Sequence, residues 1–222
     1  MSGSKNDSSI VIWDLSSNKQ TAIHKIGKYG TNFLKSSLGG EFLFVSATSN
    51  FFRVFETKNW SSKKINCNKT VETACWGGRG FLVFSEKESS EMHFYFFKSD
   101  SLDSKKFLKT ESISSYSDPQ KGLFELGCIK QLEWSENSDR LIVSFEGNSN
   151  LLASFHTSPS VSNENVFIFP LGFIRGPPQS FPLSLSFKPN YQRGSLLAAC
   201  WNTGKISFFP FYYETQNPIN NI

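Results

Sequence analysis

Residues 195–213, SLLAACWNTGKISFFPFYY, place two apolar runs on either side of a polar link, Asn202-Thr203-Gly204-Lys205. Glycine in such a link supplies the positive φ that a tight hairpin demands, so the stretch reads as two antiparallel strands. Trp201 is expected to cap a sheet and Cys200 to point into packing between sheets. A nucleophilic Cys200 would need a base beside it. His24, His93 and His156 fall on three different expected strands, without an activating carboxylate pattern.

The same arrangement occurs upstream. TNFLKSSLGGEFLFVSA from Thr31, ETACWGGRGFLVFSE from Glu72, KQLEWSENSDRLIVSFE from Lys130 and LSLSFKPNYQRGSLLAACW from Leu183 each set two apolar strands around a turn rich in Gly, Asn, Asp or Ser. A third strand follows each pair: FFRVFET from Phe51, MHFYFFK from Met92, NLLASFHT from Asn150 and KISFFPF from Lys205. IVIWDL at Ile10–Leu15 matches these and holds Trp13-Asp14, the single Trp-Asp dipeptide of the chain. Weaker outer strands are expected in TAIHKIG, SSKKINC and NVFIFPLGFI.

Aligning Lys35, Trp76, Trp134 and Phe187 gives separations of 41, 58 and 53 residues. A repeat of about 40–45 residues with four strands is the signature of a WD-repeat propeller blade. The longer gaps predict polar surface insertions near 98–122 and 158–165. The expected fold is thus all-β: an incomplete WD-repeat β-propeller over residues 10–213, with three full four-stranded blades and partial blades at both ends. Residues 1–9 are expected to be a disordered N-terminus and residues 214–222 a tail. The strand order opens on a third and fourth strand, which reads as a truncated product of a longer propeller.

Composition agrees. Twenty-three Phe against two Met make the apolar stock aromatic and β-favouring. A formal net charge of +4 is mild, and the lysines form loose groups, so no nucleic-acid track is expected. Cys67, Cys75, Cys128 and Cys200 are far apart and contain no Cys-x-x-Cys pair, which predicts free buried thiols and neither a metal site nor a disulfide framework. The N-terminus has no apolar signal core, and no segment reaches the ~20 apolar residues that span a bilayer; an intracellular, soluble protein is expected. No P-loop, nucleophile elbow or metal-spaced cluster appears, and the expected catalytic, cofactor and metal sites are none.

Four stretches together, FFRVFETKNW, ETACWGGRGFLVFS, PLGFIRGPP and LSFKPNYQRGSLLAACWNTGKISFFPFYY, resemble the aladin family of WD-repeat nucleoporins, over the C-terminal half of its propeller. The last is the most specific, joining Pro-Asn-Tyr to a Trp-x-Thr-Gly hairpin. The resemblance implies a non-enzymatic scaffold of the nuclear pore complex at the nuclear envelope that supports nucleocytoplasmic transport. It implies partners among other nucleoporins, including an integral membrane nucleoporin, with indirect membrane contact, and a further location at spindle poles in mitosis. Because aromatic and Arg anchors dominate protein interfaces, Arg53, Trp60, Arg175 and Tyr191 are the candidate partner-binding residues. Arg53 alternatively pairs with a carboxylate inside its blade. Two other functions compete: a different WD-repeat interaction adaptor, and a phosphoinositide-binding propeller. The latter needs two adjacent arginines, whereas Arg53 is followed by Val54.

Overall fold

A computed structural model describes residues 1–24, 26, 28–98, 101–113, 115–118, 122–147 and 149–213. The strands fall into five antiparallel sheets and one small ribbon. The first sheet holds β1 (Ser2–Ser4), β2 (Asp7–Asp14) and β3 (Lys19–His24). The second holds β4 (Thr31–Ser36), β5 (Phe42–Ala47), β6 (Phe51–Glu56) and β7 (Ser62–Asn66). The third holds β8 (Val71–Trp76), β9 (Phe81–Glu86), β10 (Glu91–Lys98) and β11 (Ser101–Ser112). The ribbon pairs β12 (Ser115–Asp118) with β13 (Gly122–Glu125). The fourth sheet holds β14 (Ile129–Trp134), β15 (Arg140–Phe145), β16 (Leu151–Ser160) and β17 (Asn165–Arg175). The fifth holds β18 (Pro182–Phe187), β19 (Gly194–Trp201) and β20 (Ile206–Tyr212).

Period-two alternation turns these sheets into a stack. Side chains of successive residues point to opposite faces, so a strand between two sheets is buried on both of them. In β5, FLFVSA, all six residues are buried. Phe42 and Phe44 face the third sheet, packing with Phe52, Trp76 and Phe84. Leu43 and Val45 face the first, packing with Ile10, Phe51 and Phe55. Strand β9 divides likewise: Leu82 and Phe84 join the second-to-third layer, and Phe81 and Val83 meet Phe94, Trp134 and Leu141 of the next. Ile142 and Leu152 then meet Leu185, Leu197 and Trp201 between the fourth and fifth sheets. Each fully buried Phe, Leu or Val in these layers contributes about 1.5–3 kcal/mol.

The first strands of the sheets stand side by side: β1 and β2 against β4, then β4 against β8, β8 against β14, and β14 against β18. Polar side chains on these strands join neighbours. Asn32 Nδ2 donates to the Val71 carbonyl at 3.3 Å and Gln131 Nε2 to that of Leu183 at 2.8 Å. Lys130 pairs with Glu72, and Lys35 stands 3.9 Å from Glu133. Burial raises the Glu133 carboxyl above the usual range, partly offset by Lys35.

Trp76, Trp134 and Trp201 are all buried. Their indole N–H groups donate to the Lys35 carbonyl at 2.9 Å, to Thr157 Oγ1 at 2.8 Å and to Ser207 Oγ at 3.0 Å. Cys200 corrects the expectation. Since Trp201 points into the layer against the fourth sheet, alternation puts Cys200 on the opposite, half-exposed face. All four cysteines are free, but only Cys75 is fully buried, with Cys67, Cys128 and Cys200 half-buried where buried thiols were expected.

Other expectations are corrected at the ends and in the first insertion. Residues 1–9 contain β1 and the start of β2, so the first sheet gains a strand where disorder was expected. Much of the stretch near 98–122 is not loop: Ser101–Ser112 is the outer strand of the third sheet, paired along β10. The 158–165 insertion is the tip of a long hairpin in which Ser160 pairs with Asn165. Glu164, at φ 44°, there pairs with Lys98 at 2.5 Å and Lys106 at 3.2 Å, tying the fourth sheet to the third. Residues 214–222 lie outside the described residues.

Two glycines separate turn freedom from close approach. Gly204, at φ 78°, closes the hairpin of the opening stretch with nothing within 4 Å of an added Cβ. At Gly176 a Cβ would stand 2.0 Å from Trp201 Cη2. In urea unfolding, Gly204→Ala is expected to cost about 1–2 kcal/mol from the left-handed backbone alone. Gly176→Ala should cost more, because it displaces a buried indole.

Burial, reinforced by Glu86, pushes the Cys67 thiol up to about 12. A raised folded pKa gives stability that is complete below the ordinary thiol value of 9.0 and is lost as pH climbs toward about 12. Urea midpoints should therefore fall between those limits, and Cys67→Ala should fall less steeply.

Candidate functional site

The turns between the first and second strands of the second, third, fourth and fifth sheets gather on one face of the stack. In the second sheet Ser37 Oγ donates to Glu41 Oε2 at 3.1 Å and accepts from the Phe42 N–H at 2.9 Å. In the fourth, Ser135 Oγ donates to Asp139 Oδ1 at 2.8 Å and accepts from the Arg140 N–H at 3.0 Å. A serine followed four residues later by an acid thus fixes both turns. The third sheet's turn joins this row, as the Gly78 N–H donates to Ser138 Oγ. In the fifth, the Asn190 N–H donates to Glu136 Oε2 at 2.7 Å, pinning one turn to its neighbour.

Between the turns of the fourth and fifth sheets lies an open cleft of about 390 Å³, lined by Glu136, Asn137, Phe187, Lys188, Tyr191 and Ser195 among others. Lys188 Nζ stands 5.9 Å from the Tyr191 ring centroid. A second hollow of about 540 Å³ adjoins it over Leu38, Gly78, Asn137 and Pro159. The two share Glu136 and Asn137, making one furrow across four sheets.

A polar cluster supports the cleft. Arg140 Nη1 donates to the Asp139 carbonyl at 2.9 Å and to Asp139 Oδ2 at 3.1 Å, and contacts His156 Nδ1 at 2.9 Å. Its guanidinium lies 5.9 Å from the Phe211 ring centre and 5.8 Å from that of Tyr213, within cation–π range. Tyr213 OH and Ser195 Oγ are 2.8 Å apart. Burial, then the hydrogen bond with Asp139, raises the Tyr213 hydroxyl above its ordinary value. The cluster bonds the end of the fifth sheet to the fourth. It lacks the geometry of a serine nucleophile: Ser195 meets Tyr213 and Asp139, while His156 meets Arg140 and the Asp139 carbonyl. Among the described residues no group of three or more His, Cys, Asp or Glu could hold a metal ion, and no helix is long and apolar enough to cross a membrane.

The four candidate residues are dispersed. Tyr191 lines the cleft. Trp60 occupies the β6–β7 turn at φ 55° and packs against the layer between the first and second sheets. Arg175 is exposed at the end of β17, paired opposite Leu151. Arg53 is half-buried within β6; its Nη1 donates to Ser62 Oγ at 3.1 Å, so a hydroxyl stands where a carboxylate was the alternative expectation. Sequence reasoning missed Ser135, Glu136, Asp139 and Arg140. The shared spacing of SLGGE and SENSD was the available signal.

No family model matches the chain. Aladin of Arabidopsis thaliana is 31% identical over 231 aligned residues, covering 97% of this chain and 48% of the relative. The chain is aladin-like. It spans about half the length of that curated relative. Among solved structures, Hsv2 of Kluyveromyces marxianus superposes with a TM-score of 0.62 at 16% identity, over 95% of this chain and 56% of that one. Hsv2p of Kluyveromyces lactis gives 0.60 at 16% identity, over 90% and 55%. These likenesses show the fold: the sheets of this aladin-like chain are blades of a WD-repeat β-propeller, arranged without a closed barrel.

Replacing Asp139 with Ala removes the acceptor of Ser135 and the carboxylate partner of Arg140. A loss of about 1–3 kcal/mol is expected. Hydrogen exchange should quicken first in the β14–β15 turn and in β20.

Proposed function

We propose that this chain is a non-enzymatic WD-repeat scaffold of the nuclear pore complex that supports nucleocytoplasmic transport at the nuclear envelope. The observation that carries the proposal is the aladin likeness along 97% of the chain. The geometry fits a protein that presents surface. Its turns are held by side-chain bonds, so an incoming partner meets groups already ordered and little conformational entropy is lost. The partners are other nucleoporins, among them an integral membrane nucleoporin, and contact with the membrane is indirect.

The furrow over the second to fifth sheets is the proposed partner-facing surface, with Tyr191 as its aromatic anchor. Arg53 and Arg175 are assigned lesser roles, since one is held within its sheet and the other lies on β17, away from the furrow. Fluorescently tagged chain expressed in plant cells is expected to give a punctate nuclear rim, with proximity labelling enriched in nucleoporins. Tyr191→Ala should weaken the rim signal without changing the melting temperature. A diffuse signal from both this chain and a version carrying the rest of an aladin-like polypeptide would refute the proposal.

A further inference from the structure

Positive charge is concentrated in one stretch of the second sheet. Residues 57–71 hold four lysines, Lys58, Lys63, Lys64 and Lys69, and no Asp or Glu, a charge equal to the formal +4 of the whole chain. The stretch includes β7, the outer strand, which has β6 on one side and a free edge on the other. Lys69 meets Glu88 at 3.5 Å. Lys64, exposed on β7, stands directly opposite the half-buried Arg53 of β6. Like charges so placed repel. Among the described residues neither is joined to a carboxylate: Arg53 Nη1 bonds Ser62 Oγ, and Lys64 Nζ lies 4.4 Å from the Phe51 ring centroid. The Arg53 Nε is buried without an acceptor. The pair is therefore uncompensated from within the sheet.

The backbone of β7 offers a ladder at the same place. The Glu56 N–H bonds the Ser61 carbonyl at 3.0 Å and the Cys67 N–H bonds the Asn50 carbonyl at 2.9 Å, and the register between them runs without a shift. Bonded pairs alternate along an antiparallel ladder. Lys63 and Ile65 therefore turn their N–H and C=O groups to β6, while Ser62, Lys64 and Asn66 turn theirs to the free edge. The outer strands of the next two sheets are less regular. The β10–β11 ladder shifts twice, and β17 carries a shift and Pro170, which has no N–H to donate.

We propose that the free edge of β7 takes an extended acidic segment of a partner protein as an added antiparallel strand, with a carboxylate opposite Lys64. Alternating outward N–H and C=O groups match a peptide backbone, whereas a nucleic-acid backbone brings acceptors alone. The residue opposite Lys64 would exchange both backbone bonds with it and share the face of Lys64 and Arg53, so an acid at that position relieves their repulsion. A second copy of this edge would set lysine against lysine. Edge lysines deter indiscriminate pairing; these same charges admit an acidic strand and turn away a basic one. The edge shares no residue with the furrow, and the proposal is independent of the pore assignment.

The test titrates the whole purified chain with short fluorescent peptides, one alternating Glu with Val and one alternating Lys with Val, and reads anisotropy. The Glu peptide should bind and weaken as salt is raised, and the Lys peptide should not bind. Amide hydrogen exchange followed by NMR should slow at least about tenfold at Ser62, Lys64 and Asn66 when the Glu peptide is bound, with little change at the already bonded Lys63 and Ile65. Lys64→Glu should abolish binding of the Glu peptide and admit the Lys peptide. Asn66→Pro, which removes one outward N–H and no charge, should weaken the Glu peptide. Both variants should keep the parent melting temperature, and Lys205→Glu, far from the edge, should bind as the parent does. The proposal is overturned if the Glu peptide does not bind, if the Lys peptide binds equally well, or if binding leaves the three outward amides unprotected. It also falls if a single-stranded DNA oligonucleotide binds more tightly than the Glu peptide, or if the chain alone pairs with a second copy through this edge.

Discussion

Burial on both faces of a strand is the constraint from which the rest follows. A sheet with one wet face can alternate apolar and polar residues, but β5 and β9 bury all their residues. Such strands have no stable place in an isolated sheet and require a neighbour on each side. The chain meets that requirement by stacking sheets in sequence order, each layer filled from both. Aromatic side chains serve here because a wide gap between sheets must be filled at high density. Phe42 stacked on Trp76 at 5.7 Å, and Phe52 edge-on to Phe84 at 4.9 Å, show rings from two sheets sharing one layer.

Polar groups fix how far the stack can slip. Apolar layers are weakly directional, whereas hydrogen bonds between sheets set position. The Trp76 indole reaching the Lys35 carbonyl and the Leu132 N–H bonded to Thr73 Oγ1 at 3.2 Å are bonds of this kind. Serine-to-acid bonds within the turns extend the same control to the surface. A furrow built of turns thereby acquires the order of the sheets beneath it.

Much of the fold was legible in the sequence because period two and turn chemistry are local. The third strands and the outer strands in SSKKINC and NVFIFPLGFI were placed without knowledge of any contact. Legibility failed where pairing is decided at a distance. Residues 101–112, SLDSKKFLKTES, read as a polar insertion, yet the long edge of β10 gives their backbone a ladder to join. Ser2–Ser4 carries no apolar signal at all and is a strand because β2 offers an unpaired edge. Cys200 was misplaced for a simpler reason. Trp201 was expected to cap the sheet and Cys200 to fill the layer between sheets, whereas the large indole takes the layer and alternation sends Cys200 to the other face. The candidate site was less legible than the fold: Tyr191 was found as an aromatic in a turn, but Glu136 and Arg140 matter through contacts with the fifth sheet.

The disposition of charge holds the surface turns in place. Here the groups under the furrow neutralise one another. Asp139 meets Arg140, and Arg140 also meets His156 and two aromatic rings, leaving each with a partner inside the protein. Burial raises the thiols of Cys67 and Cys75, which keeps them protonated. Charged side chains paired across neighbouring sheets, Lys130 with Glu72 and Lys35 near Glu133, add to the same control of register.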